Sequence, residues 1–343
     1  MVWKLPLSTS HFWQVPVFRV NSPNKLVISL LGATRPIPYG EVYMSVMPHR
    51  HLKLLGAASC WGARDQRCDL GPELLRSMGL QRTLQAAGCE AVWQAILHPH
   101  KTPLITDTYD VVADLCQRLA TEVAAAVHAN TPFAVLGGDH SCAIGTWSGA
   151  AAAIPYRRPI GLIWIDAHMD SHTSETSVSG AVHGMPLASL LGYGDPRLNS
   201  VHFAGPKVFA EHVCLIGVRS YEPDEAEFLR RHKVRVYLMD EVRERGLSTV
   251  VNEAYELISP GTAGFGISID LDAIDPLDAP GVGSPEPGGI GAADLLQALA
   301  PLSTKPGLLG IEIAEFNPAR DRNDKTAHVI TRLIERFFTG DGR

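Results

Sequence analysis

Gly161-Leu162-Ile163-Trp164-Ile165-Asp166-Ala167-His168-Met169-Asp170 is the stretch on which the reading of this chain turns. Five apolar residues of strand length run straight into Asp166, His168 and Asp170, which recur at every second position. The same design appears twice more. Phe133-Ala134-Val135-Leu136 reads as a buried strand ending at Gly137-Gly138-Asp139-His140-Ser141, and a strand over 264–269 runs into Asp270-Leu271-Asp272. Further strands are expected at 52–58, 213–218, 234–239 and 308–314. Helical stretches lie between them: one opening at Gly71 with Pro72 in its first turn, one over 107–129, and a last near 325–338. Strands alternating with helices predict an α/β fold, a three-layer α/β/α sandwich around a mostly parallel sheet. In such sheets ligands bind beyond the carboxyl ends of the strands, where all three runs fall.

His140, Asp166, His168, Asp170, Asp270 and Asp272 make four carboxylates and two imidazoles, and no Lys or Arg lies within the runs. Brought together, about four negative charges cannot all stay ionised unless cations share the pocket. Two divalent ions would cancel them, so a two-metal hydrolytic centre is the expectation. In an extended segment the period of two would place Asp166, His168 and Asp170 on one face, and Asp270 and Asp272 likewise. Oxygen and imidazole donors without cysteine suit Mn²⁺, with Co²⁺ or Ni²⁺ also compatible, and argue against structural zinc. The plainer alternative is a set of loop acids capping helices and turns.

The bulk of the chain narrows the classes. Its 343 residues carry a net charge of −6 and no basic stripe, which speaks against nucleic acid as a partner. No apolar run approaches the roughly 20 residues of a membrane span. Cys60, Cys68, Cys89, Cys116, Cys142 and Cys214 show no CxxC spacing and read as reduced thiols of a cytoplasmic protein. Residues 1–46 differ from the rest: they hold five prolines, and Glu41 is their only acid. A flexible leader, a transit peptide and a non-native extension before a start at Met44 or Met47 are the three readings. The prolines oppose the second. Residues 47–343 are expected to form one catalytic domain.

Gly-Gly-Asp-His-Ser at 137–141, Asp-Ala-His-x-Asp at 166–170 and Ser-Ile-Asp-Leu-Asp-x-x-Asp-Pro at 268–276 resemble, in that order, the arginase/agmatinase (ureohydrolase) family. The resemblance covers about residues 51–340, and Glu175 to Leu187 looks most like bacterial arginases. It implies one metal on His140, Asp166, Asp170 and Asp270 and another on His168, Asp166, Asp270 and Asp272. It further implies a hydroxide between the ions as nucleophile, with Asp170 accepting a hydrogen bond from it. Glu315 would hold the guanidinium and His183 would shuttle protons. Ser179 and Glu222 would hold the amino-acid end of the substrate, Glu222 standing where arginases usually carry Asp. His172 and Ala181 replace two Asn that help to recognise the α-carboxylate, and Ser284 replaces a Thr. A histidine can still donate to a carboxylate. The implied reaction is hydrolysis of L-arginine to ornithine and urea by a homotrimer or homohexamer. The alternatives are hydrolysis of agmatine, guanidinobutyrate or a related guanidino compound, and, from another class, a metal-dependent deacetylase. A deacetylase would carry a single-metal Asp-x-His site, which Asp170 and His140 exceed.

Overall fold

Eight strands lie side by side as one parallel sheet. The computed structural model describes residues 51–64, 67–100 and 107–339, together with the backbone of two short strands in the leader. Those two, β1 (Val17–Val20) and β2 (Leu26–Ser29), pair antiparallel. The readings of the leader otherwise lie outside the described residues. The main sheet comprises β3 (His51–Ala57), β4 (Glu90–Leu97), β5 (Phe133–Gly137), β6 (Gly161–Ile165), β7 (Val213–Val218), β8 (Arg235–Leu238), β9 (Phe265–Asp270) and β10 (Leu308–Ala314). Its order is β4-β3-β5-β10-β9-β6-β7-β8, and every pairing is parallel.

Continuous apolar strands are explained by burial on both faces. On β6, Ile163 and Ile165 pack into a core shared with helices Leu247–Ile258, Ala292–Leu299 and Lys325–Phe338. Leu162 and Trp164 point the other way, into a core with helices Thr108–His128 and Ala143–Ala153. The result is three layers. Each fully buried Leu, Ile or Val contributes about 1.5–3 kcal/mol, which makes the two faces the main source of stability. Close helix–sheet packing needs a glycine at 266, where a Cβ would stand 2.0 Å from the Trp147 ring.

The helix expected over 107–129 spans Thr108–His128, with the Asp107 carboxylate accepting the Tyr109 N–H as its cap. The strand expected at 234–239 stops at Leu238, because Met239 opens helix Met239–Arg245. Strand β4 is an addition to the sequence reading. It is an edge strand whose Glu90 and Val92 face solvent, and Glu-Ala-Val-Trp-Gln-Ala-Ile-Leu suits a helix as readily as a strand. All six cysteines are buried and none is in a disulfide. Among the described residues, no helix is long and apolar enough to cross a membrane.

Topology now positions the chemistry. Strands β5, β10, β9 and β6 are consecutive neighbours in the middle of the sheet. His140 follows the first, Glu315 the second, Asp272 the third and Asp166 the fourth. Four parallel strands therefore deliver their loops to one rim.

Candidate metal centre

Two groups of ligand atoms converge at that rim. His140, Asp166, Asp170 and Asp270 form the first, and Asp166, His168 and Asp272 the second, with the atoms of each group within 4.8 Å of one another. All are buried except His168, which is partly exposed. Asp166 belongs to both. The first group holds the four residues expected for one metal. The second lacks Asp270, which clusters with the first alone.

The convergence does not arise by the extended period expected from sequence. Strand β6 ends at Ile165, and Asp166–Asp170 is a loop that bends at Asp170 with φ of +48°. Asp270 closes β9, but Asp272 sits in a 3-10 turn, Leu271–Ala273. Backbone turning, not strand alternation, aims these side chains. The loops are fixed by their own ligands: the Asp166 carboxylate accepts the His168 N–H at 2.7 Å, and the Asp270 carboxylate accepts the Asp272 N–H at 2.8 Å. At the end of β5, Gly138 lies so close to Ser59 that a Cβ would meet its carbonyl oxygen at 1.8 Å.

The donor geometry fits cations. His140 Nδ1 lies 3.2, 3.0 and 3.2 Å from carboxylate oxygens of Asp166, Asp170 and Asp270. One ring proton can serve only one of them, and neither His140 Nδ1 nor Asp170 Oδ2 has a hydrogen-bond partner of good geometry. A divalent ion satisfies all four at once. The opposite ring nitrogen, Nε2, faces Ser268 Oγ at 3.0 Å, and that hydroxyl donates to buried Glu312 at 3.2 Å. Trp164 stacks on the imidazole at 4.3 Å and donates from Nε1 to Asp166. The ring is thus held from both sides and from behind.

Electrostatics agree. Burial and the charge of Asp166 push Asp170 up to about 7. Burial and the neighbouring carboxylates of Asp272 and Asp166 push Asp270 well above the ordinary range. Burial opposes the charged form of both imidazoles, yet the surrounding carboxylates win and raise His140 and His168. Such a pocket demands positive charge.

Glu315 leaves β10 with φ of +68°, and its N–H donates to the Gly138 carbonyl at 2.7 Å. Its Oε1 accepts the His140 N–H at 3.0 Å and faces His183 Nδ1 at 3.1 Å, while the Cys68 thiol donates to Oε2 at 3.5 Å. Burial would raise the Glu315 carboxyl, but the His183 hydrogen bond and charge hold it below the usual range. Burial likewise disfavours charged His183, but Glu315 first and Asp139 and Asp170 next raise it to about 9.

The residues expected at the substrate end are less gathered. His172 is buried, with Nδ1 on Thr176 Oγ1 at 3.1 Å and Nε2 facing Glu222 at 3.2 Å and Glu225 at 3.5 Å. Its donors are thus turned to protein partners, not left open for a carboxylate. Glu222 caps helix Pro223–His232 and keeps its side chain largely exposed. Ser179 is exposed, and its Oγ accepts the Ala181 N–H at 3.1 Å. Ser284 is half-buried beside Gly283, where a Cβ would stand 3.0 Å from Glu315 Oε2.

Several participants escaped the sequence reading. Cys68, Glu312 and Glu225 carry no motif of their own, and Ser268 opens the 268–276 motif without a role assigned to it. Arg219 brings a cation to the rim after all: its guanidinium donates to the carbonyls of Asp272 at 2.6 Å and Glu286 at 2.7 Å. Its place directly after β7 is the one signal that marked it.

The arginase family model matches residues 50–339. An arginase from Bacillus caldovelox is 36% identical over 294 residues, covering 84% of this chain and 97% of that protein. The native crystal structure of the Bacillus caldovelox arginase superposes with a TM-score of 0.79 at 35% identity, over 84% of this chain and 98% of the other. Entamoeba histolytica arginase, solved in complex with L-ornithine, gives a TM-score of 0.79 at 25% identity over 85% and 99%.

Proposed function

The chain belongs to the arginase family, and we propose that it hydrolyses the guanidino group of L-arginine to ornithine and urea. The observation that carries this reading is the Glu315–His183 pair, 3.1 Å apart on the rim that gathers the two ligand groups. His140, Asp166, Asp170 and Asp270 would hold one ion. Asp166, His168 and Asp272 would hold the second, with Asp270 as the remaining donor. When bound, two Mn²⁺ ions, or Co²⁺ or Ni²⁺ on the same oxygen and nitrogen donors, act as Lewis acids and make water acidic enough to ionise near neutrality.

The chain's own groups supply the rest. Guanidinium is planar and cationic, and its delocalisation must be overcome. Glu315 is ionised and fixed by two donors besides His183, so it is a ready seat for that cation. An arriving guanidinium and the His183 imidazolium compete for the same carboxylate. His183 is charged at neutral pH and its side chain is 27% exposed. Displaced from Glu315, it can deliver its proton to the leaving amine and recover one from solvent. Asp170 would accept a hydrogen bond from the attacking group. Ser179, Glu222, Ser284 and His172 would contact the amino-acid end, which for His172 requires release from Glu222.

Residues 47–343 are the catalytic domain in this reading, with residues 1–46 a leader outside it. Homotrimer or homohexamer assembly and a cytoplasmic location complete it, the latter supported by six cysteines outside any disulfide. Urea release with Mn²⁺ tests the substrate against a panel of L-arginine, agmatine and guanidinobutyrate. Preference for either of the last two would overturn arginine as substrate, and acetate release from acetylated amines would move the chain to another class.

A further inference from the structure

A second concave, charged site lies at the opposite end of the sheet. The turn before β6 and the loop before β7 enclose a cavity of about 220 Å³, lined by Arg157, Arg158 and Pro159 on one side and Phe203, Lys207 and Phe209 on the other. These segments precede their strands, so the cavity faces away from the carboxyl-end rim that carries the metal ligands. No acidic residue lines it. Among the described residues neither arginine has a carboxylate partner; Arg158 reaches only the Thr262 carbonyl at 3.4 Å. Both arginines are exposed, so they are open to a ligand from solvent.

Its cations are held in place. The Arg157 guanidinium and the Lys207 ammonium each lie 4.2 Å from the centre of the Phe203 ring. Lys207 is buried, and its ammonium donates to the carbonyls of Asn199 and Gly205 at 2.8 Å and to that of Phe203. Burial, then the charge of Arg157, lower Lys207 to about 8, so the like charges feel one another. Tyr156 and Arg157 adopt φ of +57° and +49°. Two consecutive non-glycine residues in the left-handed region are strained, and this backbone projects Arg157 over the ring.

We propose that this cavity is a second binding site, for a small oxyanion, phosphate or carboxylate, carried on a compact apolar or aromatic body. The guanidinium forks match the planar or tetrahedral oxygens, and the phenyl and proline walls match the body. The volume of about 220 Å³ lies below the roughly 300–1,000 Å³ of drug-sized pockets, which favours a small ligand. Strand β6 runs from the cavity to Asp166, and helix Ala143–Ala153, which begins just after His140, ends at the cavity wall through Ala151. The site is independent of the hydrolytic reading.

The test is calorimetric titration of the full, Mn²⁺-loaded chain with phenyl phosphate and with benzoate, in parallel with the double variant Arg157→Gln/Arg158→Gln. Saturable binding of either probe that weakens about tenfold or more in the double variant supports the site. Tighter phenyl phosphate assigns phosphate, and tighter benzoate assigns carboxylate. Urea release by the double variant should match the parent, since neither arginine touches the metal rim. Binding of equal strength in both proteins belongs to the metal centre and overturns the proposal, as does no binding at millimolar concentration.

Discussion

His183 Nδ1 stands 3.1 Å from Glu315 Oε1, and the same oxygen accepts the His140 N–H at 3.0 Å. One carboxylate oxygen thus joins the rim histidine to the backbone of a metal-ligand loop. Removing its charge should be felt by the histidine, while the imidazole of His140, which faces the other way, should keep its ligands.

Glu315→Gln is expected to retain both ions by elemental analysis yet lose hydrolysis by at least about a hundredfold, since the guanidinium loses its counter-charge. Metal loss in this variant would instead make Glu315 part of the ligand scaffold.

The pH behaviour of His183 has a defined sign. Its folded pKa of about 9 exceeds the unfolded value near 6.5, so the Glu315 pairing stabilises the fold fully below pH about 6.5 and fades as pH rises through 9. A proton-donating His183 also predicts that turnover declines through that range. NMR titration of the metal-free chain should place the imidazole near 9, and Glu315→Gln should lower it, because burial then acts with less opposition. His183→Ala should keep both ions, turn over more slowly and lose the alkaline decline. A His183 pKa unchanged by Glu315→Gln would dissolve the pairing.

Asp170→Asn should lose metal and activity together. Its Oδ2 is buried, 3.0 Å from His140 Nδ1, and no protein donor satisfies it. An amide offers one weaker donor oxygen and no charge against the ion. Full occupancy by two ions in this variant would take Asp170 out of the ligand set.

Much of this site was legible because each ligand run is short and directly follows an apolar strand. Parallel strands then do the gathering, so His140, Asp166 and Asp270 meet although 130 positions separate the outer two. At the site, what the chain of letters hid is of two kinds. The turn conformations are one: Asp170 and Glu315 adopt positive φ that neither residue type announces. Contacts across distant segments are the other. Nothing in Cys68 or Glu312 distinguishes them from ordinary core residues until the sheet order is known, and Ser268 and Arg219 show only a place in a motif and a place after a strand. The edge strand β4 was hidden for a third reason, since its half-exposed pattern lacks the apolar continuity of the inner strands.

Ser268→Ala should weaken Mn²⁺ binding about 10- to 100-fold without abolishing turnover at saturating metal, because the hydroxyl only fixes the orientation of the His140 ring. Glu312→Gln keeps volume and one acceptor and should be milder. Competition titration against a metal indicator reads both. An unchanged affinity in Ser268→Ala would assign the ring's orientation to Trp164 stacking alone.

Cys68 offers the sharpest separation of packing from chemistry. Its side chain is fully buried, its thiol donates to Glu315 Oε2 at 3.5 Å, and burial followed by the charge of Glu315 pushes its own pKa far upward, so it remains a donor at any working pH. Cys68→Val is apolar, somewhat larger and keeps the packing contacts, but removes the donor. Oε2 then loses its partner, and the carboxylate can rotate away from the seat that the guanidinium needs. A thiol–carboxylate bond is weak, about 1 kcal/mol, so kcat/KM should fall several-fold, with metal content and melting temperature preserved. Cys68→Ser restores a stronger donor and should recover the rate, although serine is smaller and packs less well. If valine matched the parent rate while serine lost activity, the thiol would be a packing group only, and Glu315 would owe its orientation to His140 and His183.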